Sequence, residues 1–298
     1  MSALDKKKHS RAALNYPMRQ TYYHKQRGKH PMPDVRDTIF CTISGKTVPA
    51  SISAEEGGIL AGTDAAFSLA NEIGLKIHMM LPEGSLLAAG TEIVRFSGSP
   101  KQIAMAEEKL IGAMAKPSGV ASAARIFVNA ADGKVKIVSG SWKKMPSAIK
   151  DAVRSAVTVG GASFRITDDP FLYLDKNFVK MFDGIVNTLS AVSGLKSYTK
   201  VIQITGAFEP IAVEAKQAIE HGAQIIFVDT GNPDDVTVVT DDLRQHGLRG
   251  RVRIAFAGNV KLNDLPRLCS LDIDILGVGR QIVDAPLLDM HLEVKSNA

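Results

Sequence analysis

Short apolar runs alternate with longer amphipathic stretches throughout the second half of the chain, from residue 134 onward. Apolar runs bounded by turn residues predict buried strands, and the stretches between them predict helices, for example at 147–157, 208–221 and 233–246. The predicted strands are 134–138, 171–174, 201–205, 224–229, 252–257 and 273–278. Six β-α units joined by short turns predict a parallel sheet that closes, or nearly closes, into a barrel.

The first part of the chain has a different pattern. Predicted strands lie at 38–44, 47–53, 59–62, 75–81 and 92–97, with a turn at 55–58 and a helix at 65–73. Two further helices are predicted at 100–114 and 117–130, because proline is favoured in the first turn of a helix. This pattern predicts a mixed unit of antiparallel character ahead of the barrel.

Polar residues and glycines follow each predicted barrel strand. They are Ser139 to Lys143, Asp175, Lys176, Gln203, Thr205, Asp229, Ala257 to Asn259, and Gly277 to Arg280. Because the carboxyl ends of parallel strands meet at one edge, we expect these residues to gather at one mouth of the barrel.

The predicted mouth has the residues that a phosphorylated ligand needs. Backbone N–H groups in the turns at Gly258 and Gly279 could bind phosphate, and Arg280 could add a charge-assisted contact. Asp229 is a candidate ligand for Mg²⁺ or a ribose hydroxyl, and Arg165 faces it from the other side together with the lysines. The pattern indicates a site for a phosphorylated, pyrophosphate-like small molecule with Mg²⁺.

Each of these residues has a simpler interpretation when it is taken alone. The glycines are also ordinary turn residues, Asp229 could cap the next helix, and Lys143 and Lys144 could be solvated surface charges. Their convergence at one end of the barrel favours the functional interpretation.

The positive charge of the protein is concentrated at its N-terminus. The chain carries a net charge of +5, whereas residues 1–31 contain five lysines and three arginines against one aspartate, a net +7, which leaves −2 for the remainder. We therefore do not expect the folded part to bind nucleic acid. The extension could be a solvated arm, a tail that binds a polyanion, or an arm docked on a neighbouring subunit.

The sequence has no long apolar run and no hydrophobic signal core, so we expect a cytoplasmic protein without a membrane segment. Cys41 and Cys269 are predicted to be buried thiols, with neither a disulfide nor a metal site.

Eight motifs, in this order and spacing, give the chain a family resemblance from about residue 34 to its C-terminus. They read EEGGILAG, PSGVAS, SGSWKKMP, VGGASFR, LYLDKN, IEHGAQIIFVDTGNPDDV, FAGNVKLNDL and ILGVGRQIVDAPLLDMHLEV. On these motifs the chain resembles the quinolinate phosphoribosyltransferases, also called carboxylating nicotinate-nucleotide pyrophosphorylases.

The resemblance implies an α/β fold with an open-faced α/β sandwich domain followed by an incomplete, six-stranded α/β barrel. After the basic extension at 1–33, which the charge distribution predicts, the resemblance implies a sandwich domain at 34–131, a barrel at 132–286, and a C-terminal strand at 287–298 that returns to the sandwich. It also implies Mg²⁺, phosphoribosyl pyrophosphate (PRPP), and a homodimer in which one sandwich covers the partner's barrel mouth. The ring nitrogen of a pyridine dicarboxylate would attack ribose C1, pyrophosphate would leave, and C2 would be decarboxylated.

The family motifs assign roles to individual residues. The residues assigned to catalysis are Lys143, Arg165, Gln203 and Asp229, and Asp229 is also assigned to the metal. The residues assigned to substrate binding are Glu108, Lys109, Ser141, Trp142, Phe164 and Lys176. The residues assigned to phosphate binding are Gly258, Asn259, Gly279 and Arg280. Lys176 lies one position later than the family's lysine, which would place it on the other face of an extended segment. Gln203 stands where the family has glutamate.

The departures from the family pattern fall mainly on the acceptor side. Lys143, Asp229, Gly258 and Gly279 are kept, whereas Glu108, Trp142 and Phe164 replace polar or cationic residues, Asn259 replaces a glycine and Arg280 a small residue. Desolvating a carboxylate without partners is costly, so such a pocket would bind quinolinate poorly and favour a flatter, less acidic ring. Alternatively, Trp142 and Phe164 pack against each other while Lys109, Lys144 and Lys176 restore the charge.

These observations predict a PRPP-dependent phosphoribosyltransferase with quinolinate as the default acceptor and a less acidic heteroaromatic acid as the competing one. A second hypothesis is a non-catalytic paralogue that binds a phosphorylated metabolite. A third, an aldolase or isomerase, lacks a Schiff-base context around Lys143.

Overall fold

Strands and helices of the protein are described by a computed structural model that covers residues 34–296. The strands are β1 (Val48–Ala54), β2 (Gly58–Ile59), β3 (Lys76–Met80), β4 (Leu86–Leu87), β5 (Glu92–Gly98), β6 (Lys136–Val138), β7 (Phe171–Leu174), β8 (Thr199–Ile204), β9 (Ile225–Val228), β10 (Arg253–Ala257), β11 (Ile275–Gly277) and β12 (Met290–Val294). The α-helices are α1 (Val35–Ile39), α2 (Thr63–Glu72), α3 (Pro100–Ala106), α4 (Gly112–Ala131), α5 (Lys150–Val159), α6 (Lys176–Met181), α7 (Ile185–Ala191), α8 (Ile211–Glu220), α9 (Pro233–Gln245), α10 (Leu265–Leu268) and α11 (Arg280–Val283). The predicted basic extension at 1–33 lies outside the described residues.

The larger sheet has six parallel strands in the order β6-β11-β10-β9-β8-β7. Its central strand β9 is buried along its whole length, as expected for a parallel sheet covered by helices on its outer face. Within residues 34–296 no strand ladder joins β6 to β7, and β6 makes only an isolated bridge from Val138 to Ser163 on that side. The prediction of an incomplete six-stranded α/β barrel is confirmed.

The smaller domain is built on an antiparallel sheet in the order β12-β1-β5-β3. The last strand of the described chain pairs with the first, with Ala50 opposite Val294 and Ile52 opposite Leu292. A buried apolar cluster, including Ile52, Phe96 and Met114, fills the space between this sheet and helices α2 to α4. This is the predicted open-faced α/β sandwich.

The predicted strand at 38–44 is wrong, because these residues form the end of α1 and a 3₁₀ turn at Cys41–Ile43. The side chain of Asp34 caps α1 by accepting from the backbone N–H of Arg36 at 3.0 Å. Of the apolar residues that produced the strand pattern, Ile39 is 62% exposed, and Phe40 and Ile43 are only partly buried. The alternation of apolar and polar residues at 38–44 therefore does not mark a strand with one buried face.

Pro117 does not begin a helix, as the sequence predicted, but lies inside α4. A π-helical turn at Glu107–Ile111 joins α3 to α4, so the segment is one continuous helical run. Proline cannot donate to the carbonyl four residues earlier, which is that of Ala113. Gly62 lies against this carbonyl, and a Cβ there would come within 2.3 Å of the Ala113 oxygen. The Ala113 carbonyl, to which Pro117 cannot donate, is therefore packed against Gly62.

Cys41 and Cys269 are not bonded to each other, and the prediction that both are buried is wrong. Cys41 is exposed and Cys269 is partly buried. Partial burial raises the pKa of the Cys269 thiol. Among helices between residues 34 and 296, none has the length and hydrophobicity needed to cross a bilayer.

Candidate active site

A cavity of about 620 Å³ opens at the carboxyl ends of the barrel strands. It is lined by twelve of the residues that the sequence singled out: Ser141, Trp142, Lys143, Phe164, Arg165, Lys176, Gln203, Asp229, Gly258, Asn259, Gly279 and Arg280. The rule that parallel strands deliver their following residues to one edge accounts for this convergence.

Glu108 and Lys109 do not line this cavity. Both lie in the π-helical turn of the smaller domain, where Glu108 is exposed. The pKa of the Arg36 guanidinium is raised mainly by its hydrogen bond to Asp34, and the charge of Glu108 makes a smaller contribution in the same direction. Within one chain they are therefore separate from the other candidate residues.

Gln203 fixes the position of Asp229. Gln203 is buried on β8, its amide donates to Oδ2 of Asp229, and its Oε1 accepts from the backbone N–H of Lys176 at 2.8 Å. The amide therefore ties the ends of three strands together and occupies one carboxylate oxygen of Asp229. Oδ1 of Asp229 is not engaged by Gln203.

The chain turns sharply after β7, and this turn places Lys176 in the cavity wall. Asp175 caps α6 by accepting from the N–H groups of Asn177, at 2.8 Å, and Phe178. The expectation that Lys176 lies on the other face holds only for an extended segment. Because helix α6 begins at Lys176, its side chain reaches the cavity after all.

Tyr173 is a cavity residue that the sequence reasoning missed. Its ring packs edge to face against Phe227, with centroids 5.8 Å apart, and the ammonium of Lys143 lies 5.2 Å above the Tyr173 ring. Burial, with the charges of Asp229 and Asp175, raises the pKa of the Tyr173 phenol, so its hydroxyl stays protonated. The sequence could have indicated this position, since residues two apart in a strand lie on the same face and Tyr173 therefore shares a face with Phe171 and Asp175.

Trp142 and Phe164 form one aromatic wall of the cavity. Their rings meet edge to face at 6.3 Å, and the indole N–H donates to the carbonyl oxygen of Phe164 at 2.9 Å. Both side chains also pack against the barrel core. The two rings do pack against each other, as one of the alternatives had it, and Lys144 and Lys176 line the same cavity, whereas Lys109 does not.

Arg165 is held by two contacts at the rim. Its guanidinium lies 5.4 Å from the Phe171 ring centroid and donates to the carbonyl of Asp169 at 3.2 Å. Arg280, the first residue of α11, is highly exposed and pairs with Asp284 at 3.2 Å.

The glycine turns bring backbone close together at the far side of the cavity. Gly258 has φ +137°, and a Cβ there would lie 2.2 Å from Cα of Gly231. Asn259 follows with φ +52°, and a Cβ at Gly279 would approach Oγ of Ser141 at 2.7 Å. Only glycine fits at 258, and this leaves the turn open for a ligand to approach its backbone.

The charges around the cavity favour an anionic ligand. Five cationic side chains line it, against two carboxylates: Lys143, Lys144, Arg165, Lys176 and Arg280, against Asp175 and Asp229. The side chain of Asp175 is already engaged in capping α6. The excess of positive charge is suited to phosphate groups.

Comparison with known proteins agrees with the fold and the motifs. The family models for the N-terminal and C-terminal domains of quinolinate phosphoribosyl transferase match residues 36–118 and 120–293. The probable nicotinate-nucleotide pyrophosphorylase [carboxylating] of Methanothermobacter thermautotrophicus is 24% identical, over 84% of this chain and 90% of that protein. The nicotinate-nucleotide pyrophosphorylase [carboxylating] of Homo sapiens is 26% identical, over 82% of each chain.

The crystal structure of nicotinate-nucleotide pyrophosphorylase from Pyrococcus furiosus shares the fold, with a TM-score of 0.76 and 20% identity, over 87% of this chain and 72% of that one. The resemblance drawn from the sequence motifs is confirmed. With both family domains matched in order, this chain belongs to the quinolinate phosphoribosyl transferase family, whose members are phosphoribosyltransferases.

Proposed function

We propose that this protein transfers phosphoribose from PRPP to the ring nitrogen of quinolinate, releasing pyrophosphate and carbon dioxide and forming nicotinate mononucleotide. The observation that carries the proposal is the cavity at the barrel mouth, where Lys143, Arg165 and Asp229 line one space. Its place in a chain with both family domains supports the same reaction. Such a site works by stabilising the charge of the departing pyrophosphate and the oxocarbenium-like ribose.

Each candidate residue has a role in this proposal that suits its surroundings. Lys143, Arg165 and Arg280 bind phosphate oxygens, with backbone groups of the turns at Gly258 and Gly279. Asp229, held by the amide of Gln203, accepts from ribose hydroxyls through its remaining oxygen. Ser141 and Asn259 line the same rim.

The residues present suit Mg²⁺ that arrives with the phosphates. No cluster of three or more histidine, cysteine or acidic side chains occurs within residues 34–296. Mg²⁺ in phosphate sites usually takes one or two protein carboxylates and keeps its other ligands from phosphate and water. Asp229 is the residue that would hold it, and the ion would neutralise part of the phosphate charge.

A second candidate acceptor is a heteroaromatic acid with fewer carboxylates than quinolinate. The observation that favours it is the aromatic wall of Trp142 and Phe164, which offers ring faces and edges where a dicarboxylate needs cations. If quinolinate is the acceptor, Lys144 and Lys176 are the cations that remain to bind its carboxylates.

We also propose a homodimer, as the family resemblance implies, and a cytoplasmic location. Phe178, Met181 and Phe182 expose apolar surface on and after α6, beside the cavity mouth. The separation of Glu108 and Lys109 from the cavity within one chain is consistent with their serving a partner subunit's site. Light scattering on the purified protein tests this association.

The test of function is calorimetry of the full-length protein with PRPP and Mg²⁺, followed by quinolinate and then nicotinate. We expect PRPP to bind and quinolinate to be turned over with release of pyrophosphate, and Lys143→Ala to abolish turnover. Turnover of nicotinate alone would favour the second acceptor. Failure to bind PRPP, or binding without turnover of any pyridine acid, would favour the non-catalytic paralogue.

A further inference from the structure

The aromatic wall of the cavity is covered by an arginine that itself lies outside the cavity. Arg154, on α5, places its guanidinium carbon 4.7 Å from the Trp142 ring centroid and 5.9 Å from that of Phe164. Arg154 is not among the residues that line the cavity. One cation therefore contacts both rings of the wall.

The contacts of Arg154 restrict tilting of the two rings, in addition to their edge-to-face contact and their packing against the barrel core. The indole N–H bond to the Phe164 carbonyl fixes one edge of Trp142, but a ring held by one edge can still tilt. A guanidinium stacked on the indole face opposes that tilt, and arginine suits the task because its planar group stacks well. Arg154 is itself anchored by an ion pair with Asp151 on the preceding turn of α5.

The phosphate-binding side of the same turn is held by a different contact. Lys143, which follows Trp142, has its ammonium above the Tyr173 ring. Within residues 34–296, the cation–π contacts of Trp142 and Phe164 come from Arg154 and not from Lys143. Loss of Arg154 should therefore disturb the aromatic wall more than it disturbs Lys143.

We propose that Arg154 is a positioning residue that fixes the Trp142–Phe164 wall and thereby sets the affinity of this site for the flat ring of its acceptor. The inference rests on the proposed function, because it takes the wall to be the acceptor side of the cavity. It assigns Arg154 no contact with the substrate.

The chain offers a direct readout, since Trp142 is the single tryptophan among its 298 residues. Tryptophan fluorescence of the full-length protein, excited at the red edge where its five tyrosines do not absorb, therefore reports only on this wall. We would compare Arg154→Met, which keeps length without charge, with Arg154→Lys, which keeps the charge. Asp151→Asn removes the ion pair but leaves the guanidinium, and Arg95→Met removes an exposed arginine that pairs with Glu92 three residues earlier.

We expect acrylamide to quench Trp142 more strongly in Arg154→Met than in the wild type, with an intermediate effect in Arg154→Lys and none in Arg95→Met. The acceptor KM of Arg154→Met should rise about threefold to thirtyfold, the range of a cation–π contact, while the Kd for PRPP stays unchanged. Asp151→Asn should change both quantities less than Arg154→Met does.

Unchanged quenching in Arg154→Met, in a variant that melts like the wild type, would overturn the proposal. An equal rise in the Kd for PRPP and in the acceptor KM would also overturn it, since that pattern indicates a general disturbance of the site. If the wild type binds no PRPP, the proposed function fails, whereas the quenching comparison still decides whether Arg154 holds the wall. Should Arg154→Met not fold, quenching in Arg154→Lys and Asp151→Asn decides it.

Discussion

The amide of Gln203 donates to a carboxylate oxygen of Asp229 while its carbonyl oxygen accepts from the backbone of Lys176. A glutamate at 203 could keep the second of these bonds but not the first. The family resemblance places glutamate at this position, so the amide distinguishes this centre. With Gln203 the pair contains one carboxylate, that of Asp229, whereas a glutamate at 203 would place two carboxylates against each other.

Gln203→Glu should destabilise the free protein at neutral pH by on the order of 2 kcal/mol, because it puts a buried carboxylate against Asp229 without a donor between them. Urea unfolding at pH 7, with and without Mg²⁺, measures the effect, and Mg²⁺ should reduce it. Gln224→Glu is the control for the same amide-to-carboxylate change at an exposed position, since Gln224 also accepts from a backbone N–H, that of Lys200 at 2.7 Å. Equal stability of the two variants would contradict the interpretation of the Gln203–Asp229 contact.

Tyr173→Leu should weaken PRPP binding about threefold to thirtyfold, because it removes the ring above which the Lys143 ammonium lies. Tyr173→Phe keeps the ring and should retain most of the affinity. Calorimetric titration of PRPP in the presence of Mg²⁺ measures both variants. A loss of affinity in Tyr173→Phe as large as that in Tyr173→Leu would show that the hydroxyl, and not the ring, is what matters.

The alkaline stability of the protein should depend on Tyr173. Its pKa is raised in the folded state by burial and by two carboxylates, so above about pH 10, the unfolded value, the unfolded chain releases this proton and the folded chain does not. Folding stability should consequently fall as pH rises above 10. Melting curves between pH 9 and about 11 should show a smaller fall for Tyr173→Phe than for the wild type. Parallel curves for the two proteins would argue against the raised pKa.

Gly258→Ala should cost about 3 kcal/mol of stability, because the left-handed backbone at 258 is strained for alanine and the new Cβ would overlap Gly231. Gly194→Ala is the control, since a Cβ there meets nothing within 4 Å. Chemical unfolding of both variants measures the difference. A change of less than about 1 kcal/mol at 258 would mean that the turn can rearrange.

Local patterns were enough to find the barrel and the region of its site. Buried parallel strands are continuous apolar runs, so β7 to β11 could be located from sequence, and residues after them had to meet at one edge. The pattern failed at 38–44, where alternating residues have no sheet to pair with. It also failed at Pro117, which lies inside α4, where the carbonyl of Ala113 packs against Gly62, 55 residues before the proline.

The finer relationships in the site could not be predicted because they join side chains from separate elements. Sequence reasoning noted Trp142 and Phe164 but had no means of placing Arg154 against them. The turn that brings Lys176 into the cavity depends on the cap made by Asp175, which converts an expected extended segment into a helix. Tyr173 was overlooked because a strand interior was read as core, although its side faces the ligand space.

The pairing of β12 with β1 has a consequence for how the protein is made. The strand that completes the smaller sheet follows the barrel along the chain, so it leaves the ribosome only after the whole barrel has been synthesised. Until then the backbone of β1 between Ala50 and Ala54 presents an open edge, and such edges pair readily with other chains. A nascent or truncated chain that ends before Met290 should therefore be prone to aggregation even where its barrel has already folded.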